Sequence, residues 1–195
     1  MSLIHHTREQ WLTAAVDALR PAFDALNKPV PLAIRAACGF PLHARRSKAV
    51  GQCWASTASA DRTIEILISP VLAQPRAVFE VLIHELCHAT DGAMNHGTAF
   101  QSVARAMGLV ACGSGKQTWK ATRGDDAFGP RYSVLLDALG DYPHAELTPG
   151  AEAKVQPTRM LKLCCPSCGY TVRTTAKWVS VGLPTCPCGD TLASV

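Results

Sequence analysis

The pentapeptide His84-Glu85-Leu86-Cys87-His88 restricts the fold of this chain more than any other stretch of its sequence. Residues four apart lie on one face of an α-helix, so the imidazoles of His84 and His88 can reach the same metal ion. Glu85 stands beside them, where its carboxylate can contact a water molecule without binding the metal. The pattern therefore indicates a helix that supplies two nitrogen ligands and a general base and leaves a coordination position open, as zinc hydrolases require.

The residues before this motif support a helix that follows a strand. Residues 63–68 are rich in β-branched and apolar side chains and predict a strand. Gln74-Pro75 suits a helix start, because proline is favoured at the first helical position, and the apolar run that follows predicts a helix to about Thr90. A helix that merely packed in a core would bury Glu85 without a partner, which argues against a chance match.

The spacing after the motif restricts the choice of a third ligand. Met94 occupies the position where one class of zinc peptidase carries a histidine, and residues 100–145 contain no glutamate, which a second class requires. His96 directly precedes a predicted helix over residues 98–107 and can face back across a short turn. We therefore expect His96 to be the third ligand, with Asp91 as the alternative.

The cysteines indicate a second metal site near the end of the chain. The N-terminus lacks the pattern of a signal peptide, and in a cytoplasmic protein cysteine pairs favour metal ligation over disulfides. Two pairs are separated by seventeen residues, room for a β-hairpin with strands at 171–175 and 178–181. A module this small needs such a metal to fold. The predicted ligands of this structural zinc are Cys165, Cys168, Cys186 and Cys188, with Cys164 as an alternative to Cys165.

Together these motifs resemble the SprT-like metallopeptidase family. The resemblance rests on residues 84–89, on His96-Gly97-x-x-Phe100, on the upstream segments 51–54 and 64–69, and on a C-terminal zinc ribbon of the kind common in bacterial and phage members. Relatives include the Spartan proteases, which digest proteins crosslinked to DNA. The resemblance implies a zincin-like core, a catalytic Zn²⁺, and substrates that are proteins associated with DNA.

The remaining sequence predicts an α+β fold in two parts. Thr7-Arg8-Glu9-Gln10 suits a capping box at the start of a helix, which Pro21 either interrupts or extends by a further turn. Residues 30–41, 49–54 and 63–68 predict a small antiparallel sheet, residues 111–130 a long loop, and residues 131–139 a short helix. The expected organisation is a zincin-like domain at 5–147, a linker at 148–158 and a β zinc ribbon at 159–195.

Two further residues are candidates for a role in catalysis. Tyr142 and His144 follow the last predicted helix, and such side chains stabilise the oxyanion in other zinc peptidases. Their position in a turn favours the simpler interpretation, that they are ordinary turn residues.

The charge and the hydropathy of the chain restrict the classes of partner that it can bind. The chain has a formal net charge of +4, and residues 157–195 carry four basic side chains against one acid, Asp190. A second basic cluster lies at 43–48. Each cluster suits either DNA contact or a solvated face. The sequence contains no run of about twenty uncharged apolar residues, so we expect no contact with a membrane.

The expected function is a zinc-dependent endopeptidase that acts on protein substrates with one catalytic and one structural Zn²⁺. In this hypothesis His84, His88 and His96 hold the catalytic metal, and Glu85 takes the proton from the attacking water. The alternative is a non-catalytic, zinc-stabilised accessory protein of transcription or stress that associates with nucleic acid through its basic ribbon. A metallohydrolase with a non-protein substrate is a third hypothesis. No feature of the sequence assigns an oligomeric state.

Overall fold

A computed structural model describes residues 4–42, 49–91, 94–148 and 160–194 of the chain. It divides the chain into two compact units, Met1–Pro149 and Gly150–Val195. The basic cluster at 43–48, Arg159 and all of the predicted linker except its first residue lie outside the described residues. No helix in the described part of the chain is long and apolar enough to cross a membrane.

The first unit begins with a long helix, α1 (Arg8–Asp24), whose capping box at Thr7 and Gln10 is confirmed. Pro21 lies inside the helix and does not end it. Trp11 and Phe23 are completely buried on either side of this proline, so burial of the apolar face outweighs the backbone hydrogen bond that proline removes.

The three predicted strands form one sheet, but its topology differs from the antiparallel arrangement expected. The strands are β1 (Ile34–Cys38), β2 (Gly51–Trp54) and β3 (Ile64–Ile68), in the order β1-β3-β2. β2 pairs antiparallel with β3, whereas β1 pairs parallel with it. The prediction was wrong for β1 because alternation of side chains along a strand is the same in both pairings, and the long connection from β1 to β3 allows a parallel one.

Two helices follow the sheet. They are α2 (Pro75–Asp91) and α3 (Thr98–Ala106), close to the predicted bounds. Residues 82–89 of α2 are buried on every side of the helix, between the sheet, α3 and a hairpin described below. This position explains why residues 82–89 are apolar except for His84, Glu85 and His88.

The segment expected to be a long loop contains regular structure. Two short strands, β4 (Leu109–Ala111) and β5 (Thr122–Gly124), pair antiparallel, and a 3₁₀-helix over Gly115–Lys120 joins them. The loop prediction was wrong because three-residue strands in a Gly-rich segment are too short to show periodicity. The unit continues with α4 (Phe128–Leu139), which begins three residues earlier than predicted.

The second unit is a small three-stranded sheet with one helical turn. Its strands are β6 (Leu161–Cys164), β7 (Thr171–Thr174) and β8 (Ala193–Ser194), in the order β7-β6-β8. Residues 178–181 were predicted to be a strand but belong to a short helix, α5 (Ala176–Val181). Val179 is the one residue of this helix that packs on the core of the unit. The β-branched residues that suggested a strand are therefore not buried in a sheet.

Candidate metal centre

The structure brings His84, His88 and His96 together at one point of the first unit. The Nε2 atom of His96 lies 3.2 Å from the Nε2 atoms of both His84 and His88. Tetrahedral zinc with Zn–N distances of about 2.0–2.1 Å separates its ligand nitrogens by roughly 3.3 Å. The three histidines therefore fit a zinc ion. The side chain of the alternative ligand, Asp91, lies outside the described residues.

The environment keeps the imidazoles of His84 and His96 in the neutral form that binds metals. Burial, together with the neighbouring histidines, lowers the pKa of His84 to about 3. Burial also lowers the pKa of His96 to about 4, with smaller contributions from His88 and from the ammonium of Lys120. At neutral pH both rings thus retain a lone pair for a metal.

Phe100 on α3 supports all three rings. Its ring stacks on His88 with centroids 4.4 Å apart and lies 4.9 Å from the centroids of both His84 and His96. Phe100 is fully buried. Because His96 and Phe100 are joined by only three residues at the start of α3, this helix positions both the third ligand and the support for the other two.

Glu85 is held between α2 and β2. Its side chain is buried, and the backbone N–H of Cys53 donates a hydrogen bond to the carboxylate. Burial raises the pKa of Glu85 to about 8, against the opposite effect of the Cys53 hydrogen bond. Gly51 allows this approach, because a Cβ atom there would collide with Oε1 of Glu85 and with Val81. The sequence analysis used residues 51–54 only for the family resemblance and gave neither Gly51 nor Cys53 a role at the site.

A third residue to which the sequence analysis gave no role lies on β5. The Oγ1 atom of Thr122 is 2.9 Å from Nδ1 of His84, on the side of the ring away from the other histidines. The sequence offers only a weak indication of this role, since threonines are common in polar segments. Thr122 becomes noticeable only once β5 is known to lie against α2.

A cleft of about 790 Å³ opens above the histidines. Residues 49–53, at and just before β2, line it together with Gly113, Ser114 and residues 120–122. His84, Glu85, His88 and His96 all contribute to its lining. The arrangement places a buried carboxylate and a three-nitrogen site at one cleft that is open to solvent.

Tyr142 and His144 do not line this cleft. Tyr142 is buried against Trp11, with ring centroids 5.2 Å apart, and the backbone carbonyl of His144 accepts a hydrogen bond from Arg8. After α4 the chain therefore returns to α1 instead of to the histidines. The structure agrees with the interpretation of both as turn residues.

The cysteines of the second unit form a separate cluster. The Sγ atoms of Cys165 and Cys188 are 3.5 Å apart, and those of Cys168 and Cys186 are 3.4 Å apart. All four lie within 4.8 Å of one another. Tetrahedral zinc with Zn–S distances of about 2.3 Å separates its sulfur ligands by roughly 3.8 Å. Backbone N–H groups of Cys168 and Ser167 lower the pKa of Cys165 to about 7, which favours the thiolate that zinc binds.

Cys164 stands outside this cluster. Its thiol lies 3.7 Å from the carbonyl oxygen of Cys165 and 3.6 Å from that of Gly169. Side chains at adjacent positions of an extended segment point to opposite faces, and here it is Cys165 that points toward the other three cysteines. The donor sets of the two clusters, three imidazoles and four thiols, both fit zinc.

A family model described as the SprT-like family matches residues 19–121, a segment that includes β1–β3, α2, α3 and all three histidines. The chain belongs to the SprT-like family. This family membership and the three-histidine cluster together indicate a protease-like domain with a site for zinc. No curated protein and no solved structure matches the chain.

Proposed function

We propose that this SprT-like chain is a zinc-dependent endopeptidase with a zincin-like core. His84, His88 and His96 would hold the catalytic zinc, and the four-cysteine cluster would hold a structural one in a zinc ribbon. The observation that carries the proposal is the buried carboxylate of Glu85 next to three converging imidazoles in an open cleft.

Glu85 is suited to act as the general base. Bound zinc supplies Lewis acidity, which activates a water molecule and polarises a carbonyl group. Glu85 accepts the proton of that water and transfers it to the leaving amine. The N–H of Cys53 donates a hydrogen bond that orients the carboxylate at the cleft, and a bound dication would favour the ionised form against the burial that raises its pKa.

The strand beside Glu85 favours a peptide substrate. Within the described residues β2 is an edge strand of its sheet. The carbonyl of Val50 accepts a hydrogen bond from Ser69 on the β3 side, so the backbone groups of the next residue, Gly51, face away from β3. An extended peptide can add to such an edge through main-chain hydrogen bonds. A small non-protein substrate would not form main-chain hydrogen bonds with this edge.

The ribbon supports a substrate that is associated with nucleic acid. Lys162, Arg173 and Lys177 lie on it, and Trp178 is 59 % exposed. The ammonium of Lys177 lies 5.3 Å from the Trp178 ring centroid. A cation next to an exposed aromatic ring is typical of surfaces that bind single-stranded DNA, where bases stack on the ring. We propose that the ribbon binds DNA and brings the peptidase to proteins on it.

The peptidase is tested with Glu85→Gln, which removes the base and keeps the shape of the side chain. This variant should retain zinc at the histidines and lose cleavage of an unfolded protein substrate. Glu146→Gln is the control, since Glu146 is an exposed glutamate of the same unit. Retained cleavage in Glu85→Gln would refute Glu85 as the base.

The DNA contact is tested separately, by the affinity of the full chain for single-stranded DNA at several salt concentrations. Trp178→Ala should weaken binding, because it removes a stacking surface worth about 1–3 kcal/mol per base. Unchanged affinity would exclude Trp178 as a stacking surface for DNA. Salt-dependent DNA binding without any proteolysis of DNA-bound protein would favour the accessory-protein alternative.

A further inference from the structure

We propose that Thr122 is a positioning residue for the metal centre: its hydroxyl accepts a hydrogen bond from Nδ1–H of His84 and thereby orients Nε2 of that ring for zinc. The inference rests on the proposed zinc binding by the three histidines. It concerns a residue that lies one position beyond the segment matched by the family model.

The first argument is the placement of the two nitrogens of His84. Its Nε2 atom faces His96, 3.2 Å from Nε2 of that ring, while Nδ1 faces Thr122 Oγ1 at 2.9 Å. A neutral imidazole carries one N–H and one lone pair. If Nε2 binds a metal, Nδ1 must carry the hydrogen, and Thr122 Oγ1 is an acceptor at hydrogen-bond distance. A metal-bound histidine nearly always donates its second N–H in this way.

The second argument is that the backbone holds Thr122 firmly. Thr122 pairs with Ala111 in the β4–β5 ladder, and Cys112 N–H donates to the carbonyl of Ala121 at 2.8 Å. Threonine is β-branched, so its side chain has few rotamers in a strand. The hydroxyl is therefore fixed in place before a metal binds.

The third argument is that β5 runs along α2 in register with His84. Gly124 lies against Glu80, since a Cβ atom on Gly124 would come within 2.7 Å of Oε1 of Glu80. Two residues of a strand span about 6.6 Å, and four residues of a helix span about 6 Å. The spacing from Gly124 to Thr122 thus matches the spacing from Glu80 to His84. The close approach at Gly124 is what places Thr122 beside the ring.

The test measures metal affinity in the full chain, not activity. Thr122→Val removes the hydroxyl and keeps the branched shape, whereas Thr122→Ser keeps the hydroxyl. Thr118→Val is the matched control, because Thr118 is an exposed threonine in the connection between β4 and β5. Zn²⁺ affinity is measured by competition with a chromogenic chelator. The absorption spectrum with Co²⁺ separates the two sites, because only the cysteine site shows thiolate-to-cobalt charge transfer.

We expect Thr122→Val to weaken binding at the histidine site by about 10–100-fold, with Thr122→Ser within about threefold of wild type. The cysteine site should be unchanged in every variant. Wild-type affinity in Thr122→Val would overturn the inference, and so would a Thr122→Ser variant as weak as Thr122→Val, because branching and not the hydroxyl would then matter. A wild-type chain that binds metal only at its cysteines would overturn the proposed function as well.

A measurement on the unmodified protein covers the case in which Thr122→Val does not fold. The nitrogen chemical shifts of the His84 ring in the metal-free protein at neutral pH report which nitrogen carries the hydrogen. We expect the Nδ1–H form. The Nε2–H form as the major tautomer would overturn the inference, since Thr122 would then not accept a hydrogen bond from this ring.

Discussion

Replacing Glu85 by glutamine should stabilise the metal-free protein increasingly as the pH rises. Burial raises the pKa of Glu85 from 4.5 to about 8 in the folded chain. Between these two values the unfolded chain has lost the proton and the folded chain keeps it, so the folded state binds more protons and stability falls with rising pH. Glutamine cannot ionise and does not suffer this loss.

The magnitude follows from the size of the pKa difference. One pKa unit corresponds to about 1.4 kcal/mol, and a shift from 4.5 to about 8 makes the expected difference between pH 5 and pH 8.5 roughly 4 kcal/mol. The free energy of unfolding of Glu85→Gln relative to wild type should rise by that amount over this range. The lowered pKa values of His84 and His96 also make stability depend on pH, but they are common to both proteins and cancel in the comparison.

The assay is urea unfolding of the full metal-free chain, followed by far-ultraviolet circular dichroism, at pH 5 and pH 8.5. Glu146→Gln is again the control, because substitution of an exposed side chain changes stability by only about 0.5 kcal/mol. Zinc added to the wild-type protein should reduce its loss of unfolding free energy at pH 8.5, since a dication stabilises the ionised carboxylate. A difference between Glu85→Gln and wild type that is the same at both pH values would refute the reasoning.

Three further predictions concern single positions. Gly51→Ala should abolish cleavage while zinc remains bound, because its Cβ displaces Glu85; full activity in a peptide assay would contradict this. Phe100→Ala should lower the free energy of unfolding by about 3–5 kcal/mol and weaken zinc binding at the histidines, measured by denaturation and by chelator competition; unchanged zinc affinity would argue against ring support. Cys165→Ser should lose the ribbon zinc, whereas Cys164→Ser should keep it, as mass spectrometry under native conditions would show; the reverse result would exchange their roles.

Local patterns accounted for the parts of the candidate site that lie close together in the sequence. Helical spacing placed His84 and His88 on one face, and the start of the next helix placed His96 opposite them, as the structure shows. The capping box at Thr7 and the bounds of α2 were also predictable, because capping and helix termination depend on a few adjacent residues.

Predictions failed where contacts join distant parts of the chain. The parallel pairing of β1 with β3 was missed, because strand order depends on how the sheet packs and not on the alternation within each strand. The β4–β5 hairpin was predicted to be a loop, because its strands are three residues long.

The sequence by itself limited the two donor sets to a few residues, because ligand spacing along one helix or one knuckle is a local property of the backbone. It left Cys164 as an alternative to Cys165, and the structure places Cys165 with the other three cysteines. Only the tertiary structure decided what surrounds the histidines. Gly51 and Cys53 reach Glu85 from β2, and Thr122 reaches His84 from β5, through contacts between elements that are remote in the chain. The sequence around a glycine or a threonine does not show which distant residue it contacts. Such contacts depend on the packing of the whole domain.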